Sequence, residues 1–416
     1  MPRRGPDGVL ALLLTLGLAA CSAGPPDPPS ATVLRSEATP TQGGSGKTTP
    51  VGISVAEALE RRAQAILRGD LAAFLAGLDP RATGFETAQQ QYWDNLAQLP
   101  LTEVTLRPDL RTLRASGGRA EVVADLHLTM GGFDQRPALT RYALQFRRTP
   151  QGMRLTSATV VGGGQPWDLG EIVVRQAPGV LGVFDSASVA SAEAVLGSFQ
   201  RGIADVAPRV PRGWNGAVVV YAPSDLTFMA SLDDVPGGDP SAIDALPVAI
   251  AGTRDGEPAS QRIVLHPGLL SQPGPDVDRL IRHELTHVAV GSLGDRVPDW
   301  LSEGLAEYVS FQSVPPDRRG VTSEVVDLAE TGQVRVPGSD GFDGNRSAAH
   351  YALAWWACET IARSRGESAL WALLDAYEQG DSDPLHTVLG ADRAQLERET
   401  ARLLVEQYRP PASPQR

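Results

Sequence analysis

The sequence predicts an α+β protein of two folded parts, and three observations carry that expectation. Between residues 52 and 165, helical spacing of apolar residues gives way to alternation of apolar and polar ones, so helices precede an antiparallel sheet. The run Val161-Gly162-Gly163-Gly164-Gln165-Pro166 then interrupts every period and marks a boundary. From residue 170 to 410 a few strands are followed by successive amphipathic helices, so the second part is mostly helical towards its C-terminal end. A chain of 416 residues, 42% apolar and 21% charged, is long enough for two cores and has an ordinary globular composition.

Residues 1–51 precede both parts. Arg3 and Arg4 give a positive start, and Val9 to Ala20 is an apolar run too short to span a bilayer comfortably. The run ends in Leu18-Ala19-Ala20-Cys21, which resembles a bacterial lipobox. The resemblance implies a lipoprotein signal peptide over 1–20 and lipidation of Cys21. It places the mature protein on the extracytoplasmic face of the cell membrane, where two acyl chains anchor it without a transmembrane helix. Residues 21–51, rich in Pro, Gly, Ser and Thr, are expected to form a flexible tether. Within them, Gly43-Gly44-Ser45-Gly46-Lys47-Thr48 does not make a phosphate-binding loop, because Thr41 occupies the first glycine position and no strand precedes it.

In the first part, Ala58, Ala63, Ile66, Leu67, Leu71, Phe74 and Leu75 recur at helical spacing from a capping Ser54 to Leu78, and Asp79-Pro80 ends the run. A second helix is expected near Gln89–Gln98. Strands follow at Glu103–Leu106, Ala120–Thr129, Arg141–Arg147 and Met153–Val160, separated by Gly117-Gly118, Gly131-Gly132 and Gln151-Gly152. This order resembles nuclear transport factor 2-like or cystatin-like accessory domains, which implies helices seated against a curved sheet over 52–165. His127, mid-strand, reads as structural.

In the second part, Gly182–Phe184 and Ala217–Tyr221 read as strands flanking a long helix, Ser188–Val206, with a further strand at Arg262–Leu265. Helices are expected at Pro275–Val290, Pro298–Ser310, Ala348–Ser364, Glu367–Gln379 and Arg393–Gln407, two of them closed by Gly366 and Gly380.

The Pro275–Val290 helix contains His283-Glu284-Leu285-Thr286-His287. Imidazoles four residues apart leave one face of a helix, so His283 and His287 are spaced to bind one zinc ion. Glu284 lies about 100° round the helix from His283, where it can reach a zinc-activated water without ligating the metal. A catalytic zinc needs a third protein ligand. In Trp300-Leu301-Ser302-Glu303-Gly304-Leu305-Ala306-Glu307-Tyr308 two glutamates again stand four apart, which supplies one ligand and one carboxylate to orient an imidazole.

A histidine-pair helix followed by a glutamate helix resembles the gluzincin metallopeptidases, the thermolysin-like group, and within it the bacterial peptidase MA-like proteins. The resemblance implies a thermolysin-like zincin domain over 170–410 that holds one Zn2+ and hydrolyses a peptide or protein substrate. It makes Glu303 the third ligand, Glu284 the general base and Glu307 the carboxylate behind a ligand. It also suggests Tyr351, or its neighbour His350, as the group that stabilises an oxyanion, and Arg262–Leu265 as an edge strand for an extended substrate. The alternative is a catalytically silent zincin-fold scaffold of the cell envelope. An intact Glu284 speaks against it, because a structural zinc site has no use for that carboxylate.

Other classes are excluded or weak. A formal net charge of −12, with Lys47 the sole lysine, provides no concentrated basic face for nucleic acid. No Gly-x-Ser-x-Gly run exists to start a serine hydrolase. With Cys21 lipidated, Cys358 is the only cysteine left; it sits in the apolar run Ala354-Trp355-Trp356-Ala357 and reads as a buried, inert thiol. His266 and His386 read as structural or exposed. Asp340, Asp343 and Asn345 miss the calcium-loop pattern and read as a solvated loop.

Overall fold

The computed structural model describes residues 49–232, 239–254, 258–291, 293, 296–338, 341–342 and 346–409. The expected signal segment, Cys21 and nearly all of the expected tether lie outside the described residues, as do Asp340, Asp343 and Asn345. No helix among the described residues is long and apolar enough to cross a membrane.

The first part has three helices, α1 (Pro50–Arg68), α2 (Leu71–Ala76) and α3 (Thr83–Leu96). The single helix expected from Ser54 to Leu78 is two. Gly69 adopts φ 68°, and the Asp70 side chain accepts from Ala73 N to start α2 afresh, so the apolar period survives a break in the axis. The start also differs. Thr49 caps α1 ahead of Pro50, whose missing N–H costs nothing in the first turn, and Ser54 instead donates to the Pro50 carbonyl.

These helices pack on an antiparallel sheet of β1 (Leu101–Pro108), β2 (Arg114–Ser116), β3 (Arg119–Met130), β4 (Ala138–Thr149) and β5 (Gly152–Val161). The order is β1-β3-β4-β5, with short β2 also paired to β3. His127 pairs across to Thr105 and Leu139 within it.

After α4 (Pro166–Leu169) a second sheet forms from β6 (Val173–Ala177), β7 (Val180–Phe184), β8 (Val218–Ala222), β9 (Ala245–Ala251) and β10 (Pro258–Leu265), in the order β6-β7-β8-β10-β9. The three central strands run parallel and the outer two antiparallel to them. The α5 helix (Ala192–Val206) links β7 to β8, and α6 (Thr227–Ala230) follows β8. Then come α7 (Pro275–Val290), α8 (Asp299–Phe311), α9 (Ser323–Glu330), α10 (Ser347–Arg365), α11 (Ser368–Gln379), α12 (Pro384–Leu389) and α13 (Arg393–Tyr408). The protein is therefore mixed α and β, with two sheets and a helical C-terminal half.

One expectation is corrected. Arg262–Leu265 is no edge: β10 lies between β8 and β9, and among the described strands the edges of this sheet are β6 and, beside β10, β9. Pro247 hides β9 from a sequence reading, because proline breaks a strand pattern yet is tolerated at an edge.

The second sheet is a wall shared by two cores. Val180, Phe184, Val218, Val220, Ile263 and Leu265 join the core of α5, α7, α8 and α10. Their neighbours Leu181, Val183, Val219, Tyr221 and Val264 point the other way, into the core of the first part. Residues 161–166 fall between the sheets, but the chain there is pinned rather than loose. Tyr221 donates to Gln165 at 2.8 Å, and Asn95 donates to the carbonyls of Trp167 and Gly170 at 3.0 and 2.7 Å.

Arg262 of β10 and Asp134 of the β3–β4 turn form an ion pair with both side chains at most 1% exposed. Removing one partner leaves the other charge buried and unpaired. Asp134→Ala should therefore destabilise the protein by about 3–5 kcal/mol in urea unfolding, and Asp134→Leu combined with Arg262→Met should recover most of that loss. A single variant as stable as the wild type would refute this account of the junction.

Candidate metal centre

The α7 helix starts with Pro275 and carries Asp276 and Asp278 in its first turn, where acidic side chains favour the positive end of the helix dipole. Leu280, Ile281, Leu285 and Ala289 anchor one side of it in the core. His283 and Glu284, both fully buried, and the partly exposed His287 face α8, which presents Glu303 and Glu307. The two helices come close because α8 itself packs hard against α10. A Cβ at Gly304 would lie 2.5 Å from the Ala354 carbonyl oxygen and 2.8 Å from Cys358 Sγ, so only glycine fits beside Glu303.

Three side-chain atoms converge. His283 Nε2 and His287 Nε2 are 3.1 Å apart, and Glu303 Oε2 is 3.3 Å from the first and 3.5 Å from the second. Ligand atoms held about 2.0–2.1 Å from one ion at tetrahedral angles sit roughly 3.3–3.4 Å from each other. The triangle matches that spacing. Among the described residues Glu303 Oε2 is buried without a hydrogen bond of good geometry, yet it lies within ion-pair distance of both imidazoles, so the three share one target. His283, His287 and Glu303 thus lie close enough to hold a metal ion.

The charges make the same demand. Glu284, Glu303 and Glu307 bury three carboxylates, and among the described residues the guanidinium of Arg279 is the one fixed cation bound to them, through Glu307. With neutral imidazoles the cluster is two negative charges in excess, which a divalent ion would cancel. In the protein alone, protons answer this field. Burial lowers the His283 imidazole, but Glu303 and Glu307 outweigh it and raise it to about 10. Burial raises the Glu284 carboxyl to about 7, against the pull of both imidazoles. Burial opposes ionisation of Glu303 too, yet the two imidazoles hold it well below the usual carboxylate range.

Glu307 stands behind the ligands, with Oε1 3.0 Å from His283 Nδ1, the nitrogen turned away from the cluster. Arg279 in turn donates to both Glu307 oxygens at 3.1 and 2.9 Å, and its guanidinium lies 4.8 Å over the Phe311 ring. Phe311 stacks on Trp355 of α10 at 4.0 Å. Sequence reasoning missed Arg279. The available signal was its place four residues before His283, one turn earlier on the same face of α7.

Tyr351 is buried with its ring edge-on to His283, centroids 6.2 Å apart, so α10 brings it beside the centre. His350 is drawn off, its Nδ1 paired with the Gly341 carbonyl. His266 caps a 3-10 turn by accepting from Gly268 N, and His386 is exposed on α12. Cys358 is fully buried, and burial pushes its thiol far above the ordinary value. Neither a scan against protein-family models nor a search of curated proteins finds a match for this chain.

Two outcomes follow from the geometry. His283→Ala, His287→Ala and Glu303→Gln should each strip bound metal from the purified protein, read by elemental analysis, whereas Glu307→Gln should keep it with weaker affinity. If Glu307→Gln loses metal and Glu303→Gln keeps it, the third ligand is one helical turn further on. Arg279→Met should weaken metal binding roughly 10–100-fold by freeing Glu307 and, through it, His283. Unchanged affinity in a chelator competition would reduce Arg279 to a packing residue.

Proposed function

We propose that this protein is a zinc metallohydrolase, a peptidase of gluzincin type, anchored to the outer face of the cell membrane through Cys21. The observation that carries the proposal is Glu284. It is fully buried, neither of its oxygens has a hydrogen-bond partner, and it shares its electrostatic surroundings with both histidines and Glu303. A buried, unpartnered carboxylate is costly to keep, and a metal held only for structure would not require it.

The donor set suits zinc, since two imidazoles and a carboxylate are a catalytic set that leaves a coordination position open. Zinc, when bound, supplies a Lewis acid that lowers the pKa of water towards about 7 and polarises a carbonyl. Everything else falls to the chain. Glu284 takes the proton of the attacking water on a carboxylate oxygen and returns it to the leaving amine. In this reading Tyr351, whose ring lies beside His283, donates to the carbonyl oxygen as it gains charge. Glu307 and Arg279 fix the His283 ring.

An extended substrate suits the β9 edge rather than β10. This strand bounds its sheet, and α7 packs beside it, so a peptide added there runs next to the histidine helix. The first part, in this reading, is an accessory domain of the nuclear transport factor 2-like or cystatin-like kind, and the anchor rests on Leu18-Ala19-Ala20-Cys21.

Glu284→Gln tests the mechanism. The amide keeps the shape of the side chain and removes its basicity, so zinc content should stay near the wild-type level. Cleavage of a peptide library should fall roughly 10²–10⁴-fold in kcat, the usual cost of losing a general base. Near-wild-type cleavage by this variant would end the mechanism even with zinc in place.

A further inference from the structure

A cavity of about 500 Å³ lies within the first part, bounded by α1, α3, α4 and the antiparallel sheet. Ile66, Phe85, Leu126, Leu144 and Val160 make its walls mostly apolar. Leu169, which also lines it, is 49% exposed, so the cavity opens to solvent beside it. The volume and lining are those of a small-molecule site rather than a packing defect. None of the residues of the metal centre lines it.

Gln91 donates to Asn95, and Asn95 donates to the Trp167 and Gly170 carbonyls; two further sets of polar groups in the lining bear on a guest. Tyr142 donates to Asp168 Oδ1 at 2.5 Å, and its oxygen lies 3.3 Å from the Tyr92 hydroxyl. Asp168 Oδ2 accepts from Gln165 N at 2.8 Å. The carboxylate takes the Tyr142 proton, so Tyr142 takes that of Tyr92, and this chain has no proton left for a guest. The second set is made of donors. Arg62 donates to the neutral Gln89 through one nitrogen and lies 3.9 Å over the Phe74 ring, while its other terminal nitrogen is buried with no partner. Trp167, 3% exposed, likewise buries Nε1 without a partner.

Burial lowers the Arg62 guanidinium only to about 10, so it stays cationic at neutral pH. Among the described residues no carboxylate pairs with it, and Asp168 is committed to Tyr142 and Gln165. A covered cation without an anion, set in an apolar chamber, calls for a guest that brings one.

We infer that this cavity binds one molecule of an organic monocarboxylate with an apolar acyl or aryl body, its carboxylate accepting from Arg62. The inference stands apart from the zinc reading, and so does its test. Full-length protein is titrated calorimetrically with octanoate, with 3-phenylpropionate and with neutral 1-octanol. At least one of the two carboxylates should bind one-to-one, and octanol roughly 10–100-fold more weakly, the worth of a charge-assisted hydrogen bond. Arg62→Met should cost the carboxylate that factor and leave octanol unchanged, while Arg62→Lys should retain part of the affinity. Ala158→Trp, which fills the chamber from β5 without touching the charge, should abolish binding of both. A thermal melt of each variant separates loss of the site from loss of the fold. Glu284→Gln should bind carboxylate like the wild type, so failure of the peptidase reading leaves this one intact. The inference is overturned if neither carboxylate binds, if octanol matches the carboxylates, if folded Arg62→Met binds them unchanged, or if binding survives in folded Ala158→Trp.

Discussion

Three carboxylates buried against two imidazoles between α7 and α8 are the constraint on which the second part of this protein is built. Each ion removed from water costs several kcal/mol even after relaxation, and like charges at this range add to the cost. No hydrophobic arrangement can relieve it. Arg279 answers one charge, and the geometry of His283, His287 and Glu303 leaves room for a divalent ion to answer the other two. Helices that carry such a cluster must be held by more than the cluster itself, since in the protein alone only protons and Arg279 offset its charge.

That hold comes from α10. Gly304 lets the backbone of α8 sit against the Ala354 carbonyl, a contact that any side chain at that position would break. Trp355 continues outward through Phe311 to the guanidinium of Arg279, so the residue that orients Glu307 is itself clamped by an aromatic stack. Cys358, one turn on from Ala354 along α10, adds its Sγ to the same contact, and its high thiol pKa belongs to a packing residue, not a nucleophile. The placement of Glu303 thus depends on close packing made one residue later in the chain.

These relations show why some of the molecule was legible in the sequence and some was not. The histidine pair and the glutamate pair are local: four-residue spacing on a helix is a statement about one face, and the ligand triangle follows once two such faces meet. The Pro275–Val290 helix was readable to the residue because proline and Gly291 punctuate it. Gly69 and Asp70 split a helix whose apolar period runs straight through the break, so periodicity alone could not see two axes. β7 and β8 are buried on both faces, and their unbroken apolar runs conceal that alternate residues serve different cores. Edge and interior cannot be told apart from one strand's own residues, because both depend on partners far away in the chain. Hence β9, carrying Pro247, was overlooked and β10 was placed at the rim. Asp134 and Arg262, 128 positions apart, gave no signal at all.

What the buried polar groups lack separates the two ends of the molecule. At the candidate metal centre the atoms without hydrogen bonds among the described residues are both Glu284 oxygens, Glu303 Oε2 and His283 Nδ1, three of the four being carboxylate acceptors that ask for a cation or a proton. In the cavity of the first part they are Arg62 and Trp167 nitrogens, donors that ask for an acceptor. An unsatisfied buried group typically costs about 1–3 kcal/mol, and more when it is charged, so a folded chain retains such groups at a net loss unless a guest repays them. The sign of the deficit then specifies the guest: positive where oxygens converge, negative where nitrogens do. The shared sheet stands between the two cores, because its alternate side chains face opposite ones.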